Sequence, residues 1–210
     1  MREVESYSAM ENFFKVRADK QAHIIDAGFA VFGKQGYRKA SMADIAARAG
    51  TTKGMITYYF GSKKTLYLHL LEVIQSSLGK ALKSRLTPDV TDFFERCRIL
   101  MEINVTAIKQ HPAAIAFATS VYYEKDPEVE EYIQKIIFDD NDRIYRMLLD
   151  GVDYTKFRPG FDPQLLCKFA TWAAGGLNEE LYDPARAEKV DCLVDEFYRG
   201  LDLIREAFYR

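Results

Sequence analysis

Long apolar runs are missing from this chain of 210 residues. Without a stretch of about 18 apolar residues, no segment can span a membrane as a helix. The N-terminus is just as poor in apolar sequence. Met1 to Phe14 mixes Glu3, Glu5 and Glu11 with aromatics and holds no signal core, so a cytoplasmic location is expected. Cysteine is scarce: Cys97, Cys167 and Cys192 are odd in number and far apart. That excludes a disulfide framework and a zinc spacing, and leaves small, half-buried apolar residues. His23, His69 and His111 are scattered too, so neither a metal site nor a cofactor is expected. No alternating strand pattern, internal repeat or phosphate-cradling glycine motif is found.

Catalytic constellations are also absent. Tyr122-Tyr123-Glu124 and Asp139-Asp140-Asn141-Asp142 come nearest, and the acidic run reads as a solvated helix face without His or Cys nearby. The chain is not expected to be an enzyme.

What remains is an ordinary globular balance, 48% hydrophobic and 29% charged, enough to bury a core. The net charge of −2 hides an asymmetry. Residues 1–64 carry 11 Lys/Arg against 6 Asp/Glu, net +5, while residues 65–210 carry 18 against 25, net −7. A basic head on an acidic body is the distribution that a polyphosphate partner favours.

Nearly every segment has helical periodicity, about nine helices in all. The first runs from Arg17 to Gln35, with Gly33 and Gly36 marking its end. Two short helices follow, Ser41 to Ala49 and Thr52 to Phe60, then a longer one from Ser62 to about Arg85. Pro88 opens the next. Ala113 to Tyr123 and Glu128 to Asp150 come after it, then a loop from Gly151 to Pro163. Gln164 to Tyr182 and Pro184 to Arg210 close the chain. The predicted fold class is all-α: a three-helix head over residues 15–62 and a helical bundle over 63–210.

Ser41 and Asp44 have the spacing of a capping box, Gly50 stands where a helix needs a left-handed terminator, and Thr52 caps the next helix. Two short helices joined by a glycine turn form a helix-turn-helix. Such a motif lays the start of its second helix in the DNA major groove. Lys53, Gly54, Met55 and Thr57 then lie nearest the base edges, with Thr52, Tyr58, Tyr59 and Lys63 directed at phosphates.

The run Ile24-Ile25-Asp26-Ala27 … Phe32 … Gly36-Tyr37 … Ser41-Met42-Ala43-Asp44-Ile45-Ala46 … Ala49-Gly50-Thr51-Thr52-Lys53-Gly54 … Tyr59-Phe60 … Ser62-Lys63 … Leu66 resembles the TetR/AcrR family of bacterial transcriptional regulators. The resemblance covers roughly residues 17–70. It implies a DNA-binding head on an all-α ligand-binding and dimerisation body, with Tyr59 and Lys63 matching the family's phosphate-contacting aromatic and lysine. One position departs: the family commonly has Tyr where this chain has Thr57. Tyr58 follows one place later, turned about 100° around the helix.

In the body, Phe94, Cys97, Met101, Asn104, Phe117, Tyr122 and Tyr123 combine apolar walls with a few polar groups. They are candidates for a pocket taking an apolar or aromatic effector. The same composition also suits a bundle core. The last two helices, with Gly175-Gly176 and the stripe Val190, Leu193, Val194, Phe197, Leu201, Ile204 and Phe208, are candidates for a homodimer interface. The expected function is a dimeric repressor that binds a pseudo-palindromic operator and is released by a small effector. The rival is an all-helical ligand-binding protein or adaptor whose head does not read DNA.

Overall fold

The computed structural model describes residues 10–181 and 190–210. The fold is all-α, with a helix-turn-helix head and a helical bundle. In chain order the helices are α1 (Ala18–Lys39), α2 (Met42–Arg48), α3 (Lys53–Phe60), α4 (Lys63–Arg85), α5 (Phe93–Gln110), α6 (Pro112–Tyr123), α7 (Glu130–Leu149), α8 (Pro163–Leu181) and α9 (Val190–Phe208). Among the described residues the only ladder-like pairing is an isolated bridge between Phe157 and Tyr209. No described helix is long and apolar enough to cross a membrane.

Contacts divide the chain into two compact units that do not follow chain order. One comprises residues up to Ser77 together with Ala107–Ile137; the other comprises Leu78–Thr106 with Phe138–Arg210. Helices α4, α5 and α7 each run from one unit into the other.

The first unit is built on α1. Its buried residues Ile24, Ala27, Gly28, Val31 and Phe32 recur at three- and four-residue intervals, the period that gives a helix one apolar face. Helical geometry stops at Gly36, which adopts φ 69° and ψ 173°. Gly33, expected to share in that termination, lies inside the helix and serves packing instead. A Cβ there would come within 2.7 Å of the backbone nitrogen of Phe117, so α1 and α6 touch backbone to backbone. Phe117 sits at 0% exposure among Phe29, Phe32 and Tyr67.

The second unit buries Phe93, Phe94, Cys97, Leu148, Phe157, Leu166, Cys167 and Leu201. Its first helix starts later than Pro88 suggests. Pro88 lies in a turn, and Asp92 accepts from the N–H groups of Phe94 and Glu95 at 3.0 and 3.2 Å, capping α5 at Phe93. A short 3₁₀ turn, Tyr154–Lys156, occupies the expected loop. The expected helix end at Tyr182 and helix start at Pro184 lie outside the described residues.

Candidate nucleic-acid interface

Local chemistry accounts for both helices of the helix-turn-helix, α2 and α3. The Ser41 hydroxyl oxygen accepts from the Asp44 N–H at 3.1 Å and donates to the Asp44 carboxylate at 2.7 Å. The α2 terminus is a Schellman motif: Thr51 N–H donates to Ala46 O at 2.9 Å and Gly50 N–H to Ala47 O at 3.3 Å. Gly50 supplies the required positive φ of 64°. Thr52 then caps α3, its Oγ1 accepting from Met55 N–H at 3.2 Å. That leaves the threonine hydroxyl proton available to an outside acceptor.

Helix α3 has two distinct faces. Ile56 and Phe60 are fully buried and Tyr59 is 5% exposed. Lys53, Gly54 and Thr57 are exposed, Met55 is half-buried, and Tyr58 is 56% exposed. Nothing stands over Gly54 closer than Thr52 Oγ1 at 3.9 Å, so another surface can approach the backbone there. The outer face thus brings together Thr52, Lys53, Gly54, Thr57 and Tyr58.

Two of the expected phosphate contacts are placed differently. The Tyr59 ring packs 5.8 Å from Phe13 and belongs to the core, because position 59 shares the inner face with 56 and 60. The Lys63 ammonium faces inward and donates to the carbonyls of Tyr37 at 2.9 Å, Ala40 at 3.3 Å and Arg38 at 3.5 Å. It also lies 4.3 Å over the Tyr37 ring. These carbonyls are exposed by the break of α1 at Gly36, and one lysine satisfies several of them at once. In this structure Lys63 fastens the start of α4 to the end of α1.

Two features carry no signal in the sequence pattern. Residues 10–14 form a helical turn, and Phe13 is 1% exposed, inserted against Phe60 at 4.7 Å and His69 at 5.8 Å. The Gln21 amide ties this segment down by donating to Val16 O at 2.6 Å. Arg38 and Lys39, both exposed, immediately precede the start of α2 and extend the cationic surface.

The expected effector residues do not form one group. Phe94 and Cys97 belong to the core of the second unit, where Met101 is also buried and Asn104 half-buried. Burial pushes the Cys97 thiol far above its ordinary range, so it stays protonated and packs as an apolar group. Phe117 is in the core of the first unit, and Tyr122 and Tyr123 are 62% and 63% exposed. In the first unit, a cavity of about 620 Å³ is lined by His23, Asp26, Arg48, Gln110 and His111 among others. Another of about 550 Å³ lies beside Arg38, Tyr123 and Glu124.

The family model for bacterial regulatory proteins of the tetR family matches residues 24–70, the stretch that contains this geometry. The HTH-type transcriptional regulator BetI of Rhizobium meliloti (strain 1021) is 32% identical over 108 residues, covering 48% of this chain and 49% of that protein. The HTH-type transcriptional repressor NicS of Pseudomonas putida is 32% identical over 90 residues, covering 43% and 42%. The chain thus spans half the length or less of these curated relatives. Over most of its length the fold is similar to that of the transcriptional regulator FadR from Bacillus subtilis, solved in complex with stearoyl-CoA. That likeness has a TM-score of 0.72 at 15% identity and covers 86% of this chain and 96% of that one. Residues 24–70 thus carry the signature of the tetR family of bacterial regulatory proteins.

Proposed function

We propose that the protein is a cytoplasmic, homodimeric transcriptional regulator, a repressor that binds a pseudo-palindromic operator and is released by a small apolar or aromatic effector. The observation that carries the reading is the two-faced helix α3. Its inner face is fully built into the core, while the outer face offers Thr52, Lys53, Gly54, Thr57 and Tyr58 from a capped N-terminus. A surface helix that keeps a bare backbone and a lysine at its leading end fits the edge of a DNA groove. The head of residues 15–62 reads DNA, and residues 63–210 bind effector and dimerise.

The dimer is supported by α8. Leu165, Phe169 and Trp172 are 47%, 55% and 61% exposed along one side of that helix, and Gly176 on the same side has open space where a Cβ would stand. An apolar stripe of this size on a single chain calls for a partner, and a second copy supplies a self-complementary one through α8 and α9. Two heads then meet half-sites about one helical turn, or a multiple of it, apart. NicS, a repressor by name, supports repression, and the long acyl chain of the stearoyl-CoA in the FadR complex supports an effector with an apolar part.

The deciding experiment is binding of the full chain to duplex DNA from around its own gene, titrated with salt and competitor. Tight, salt-sensitive and competitor-resistant binding to a palindrome is expected. Binding to no sequence in preference, with little salt dependence, would instead favour a protein-gripping adaptor.

A further inference from the structure

The four residues Tyr37 to Ala40, beyond the kink of α1 at Gly36, lead into the cap of α2, and their backbone is held from outside. Gly36 turns the chain out of the helix, so Tyr37 N–H loses its helical acceptor; it donates instead to Glu124 Oε2 at 2.8 Å. Glu124 is the residue that ends α6. Its other oxygen accepts from the N–H groups of Lys125 and Asp126 at 3.1 and 3.0 Å, which fixes the carboxylate in place. On the opposite side, Lys63 takes the carbonyls of Tyr37, Arg38 and Ala40. The Tyr37 ring, 1% exposed, lies parallel to Phe32 and edge-on to Tyr67 at 5.1 Å. The corner that aims Ser41, and with it α2 and α3, is therefore set by one lysine from α4 and one carboxylate from α6.

We propose that Glu124 is a positioning residue for DNA recognition. It holds the α1–α2 corner in the reading conformation, and its grip is the point at which a displacement of α6 reaches the helix-turn-helix. A second feature makes α6 suited to this. At Gly33 the two helices meet backbone to backbone, so α6 has no slack at that crossing, and sliding or tilting it must move Glu124 relative to Tyr37. A buried N–H left without its acceptor is costly, so the corner either follows the carboxylate or rearranges. This rests on the DNA-reading function proposed above.

The test compares Glu124→Ala and Glu124→Gln in the full chain. The probes are a duplex selected by the wild-type protein from a random-sequence pool and an unselected duplex of equal length. Hydrogen exchange of the peptide spanning residues 37–45 is followed in parallel. For Glu124→Ala, affinity for the selected duplex should fall about tenfold, with affinity for the unselected duplex and the salt slope unchanged and exchange at 37–45 accelerated. Glu124→Gln keeps an oxygen that can accept from Tyr37, and should stay within about threefold of wild type. An unchanged preference in Glu124→Ala would overturn the proposal. So would equal shifts on both duplexes in both variants, because that is the signature of removing a charge near DNA. If wild type selects no duplex, the DNA-reading function falls. The exchange measurement then still decides whether Glu124 holds the corner: unaltered exchange in Glu124→Ala sinks it.

Discussion

The two compact units finish their surfaces differently. Among the described residues of the first, four of the five large hydrophobics left exposed are tyrosines (Tyr58, Tyr122, Tyr123 and Tyr132), with Phe14 the exception. Among those of the second only Tyr154 is a tyrosine, and Leu165, Phe169, Trp172, Leu203 and Phe208 stand at 37% to 68% exposure. A tyrosine at a surface keeps a hydroxyl in water or on a polar partner; leucine and phenylalanine gain nothing there. Among the described residues the first unit thus offers a polar, cationic face and the second an apolar one. One chain carries two kinds of exposed surface.

The sharpest way to break this contrast is Phe169→Glu. Because Phe169 is exposed in the single chain, the fold should survive with an unchanged far-ultraviolet spectrum. Association should weaken by at least about a hundredfold, since a carboxylate would be buried without a counter-charge. Analytical ultracentrifugation reads the outcome directly: a dimer that persists at micromolar concentration would mean that the α8 stripe is not the interface.

Phe13→Ala probes the first unit. A fully buried phenylalanine between Phe60 and His69 should cost about 3–5 kcal/mol of stability on truncation. Thermal denaturation checks it. A loss near zero would show that residues 10–14 are an appendage, not part of the head's core. Lys53→Ala should leave stability within about 0.5 kcal/mol, as expected of an exposed side chain. It should weaken DNA binding about tenfold, and if Lys53 reaches a phosphate the salt slope falls by about 0.9. An unchanged slope with altered sequence preference would instead put Lys53 on a base edge.

What can be read from the sequence follows the range of the interactions involved. The Ser41–Asp44 box, the Gly50 terminator and the Thr52 cap are contacts over three to five residues, and each is legible in place. Tyr59 belongs on the inner face by the same short-range logic. The i, i+3, i+4 spacing from Ile56 points it inward, whereas the family's phosphate-contact pattern points it toward DNA. Phe13 against Phe60 and His69, Lys63 against Tyr37, and Glu124 against Tyr37 are long-range, the last spanning 87 positions, and no periodicity announces them. The effector residues are selected by composition, which cannot separate a pocket wall from a core. Phe117 satisfies that criterion and is the hub of the first unit's aromatic cluster.

The smallest predicted effect separates conformational from steric demands on glycine. Gly33 is required by space, because a Cβ there would collide with the α6 backbone. Gly50 has φ 64° and nothing within 4 Å of a would-be Cβ, so only its backbone conformation resists substitution. Gly50→Ala should therefore cost about 1 kcal/mol, the ordinary penalty for an L-residue in the left-handed region. The alanine methyl would project into open space, so the Schellman hydrogen bonds and the angle between α2 and α3 should persist. DNA affinity at a temperature well below the unfolding midpoint should then match wild type. A large loss of affinity without a matching loss of stability would mean that the bare backbone at Gly50 itself meets the DNA, extending the reading surface from α3 into the turn.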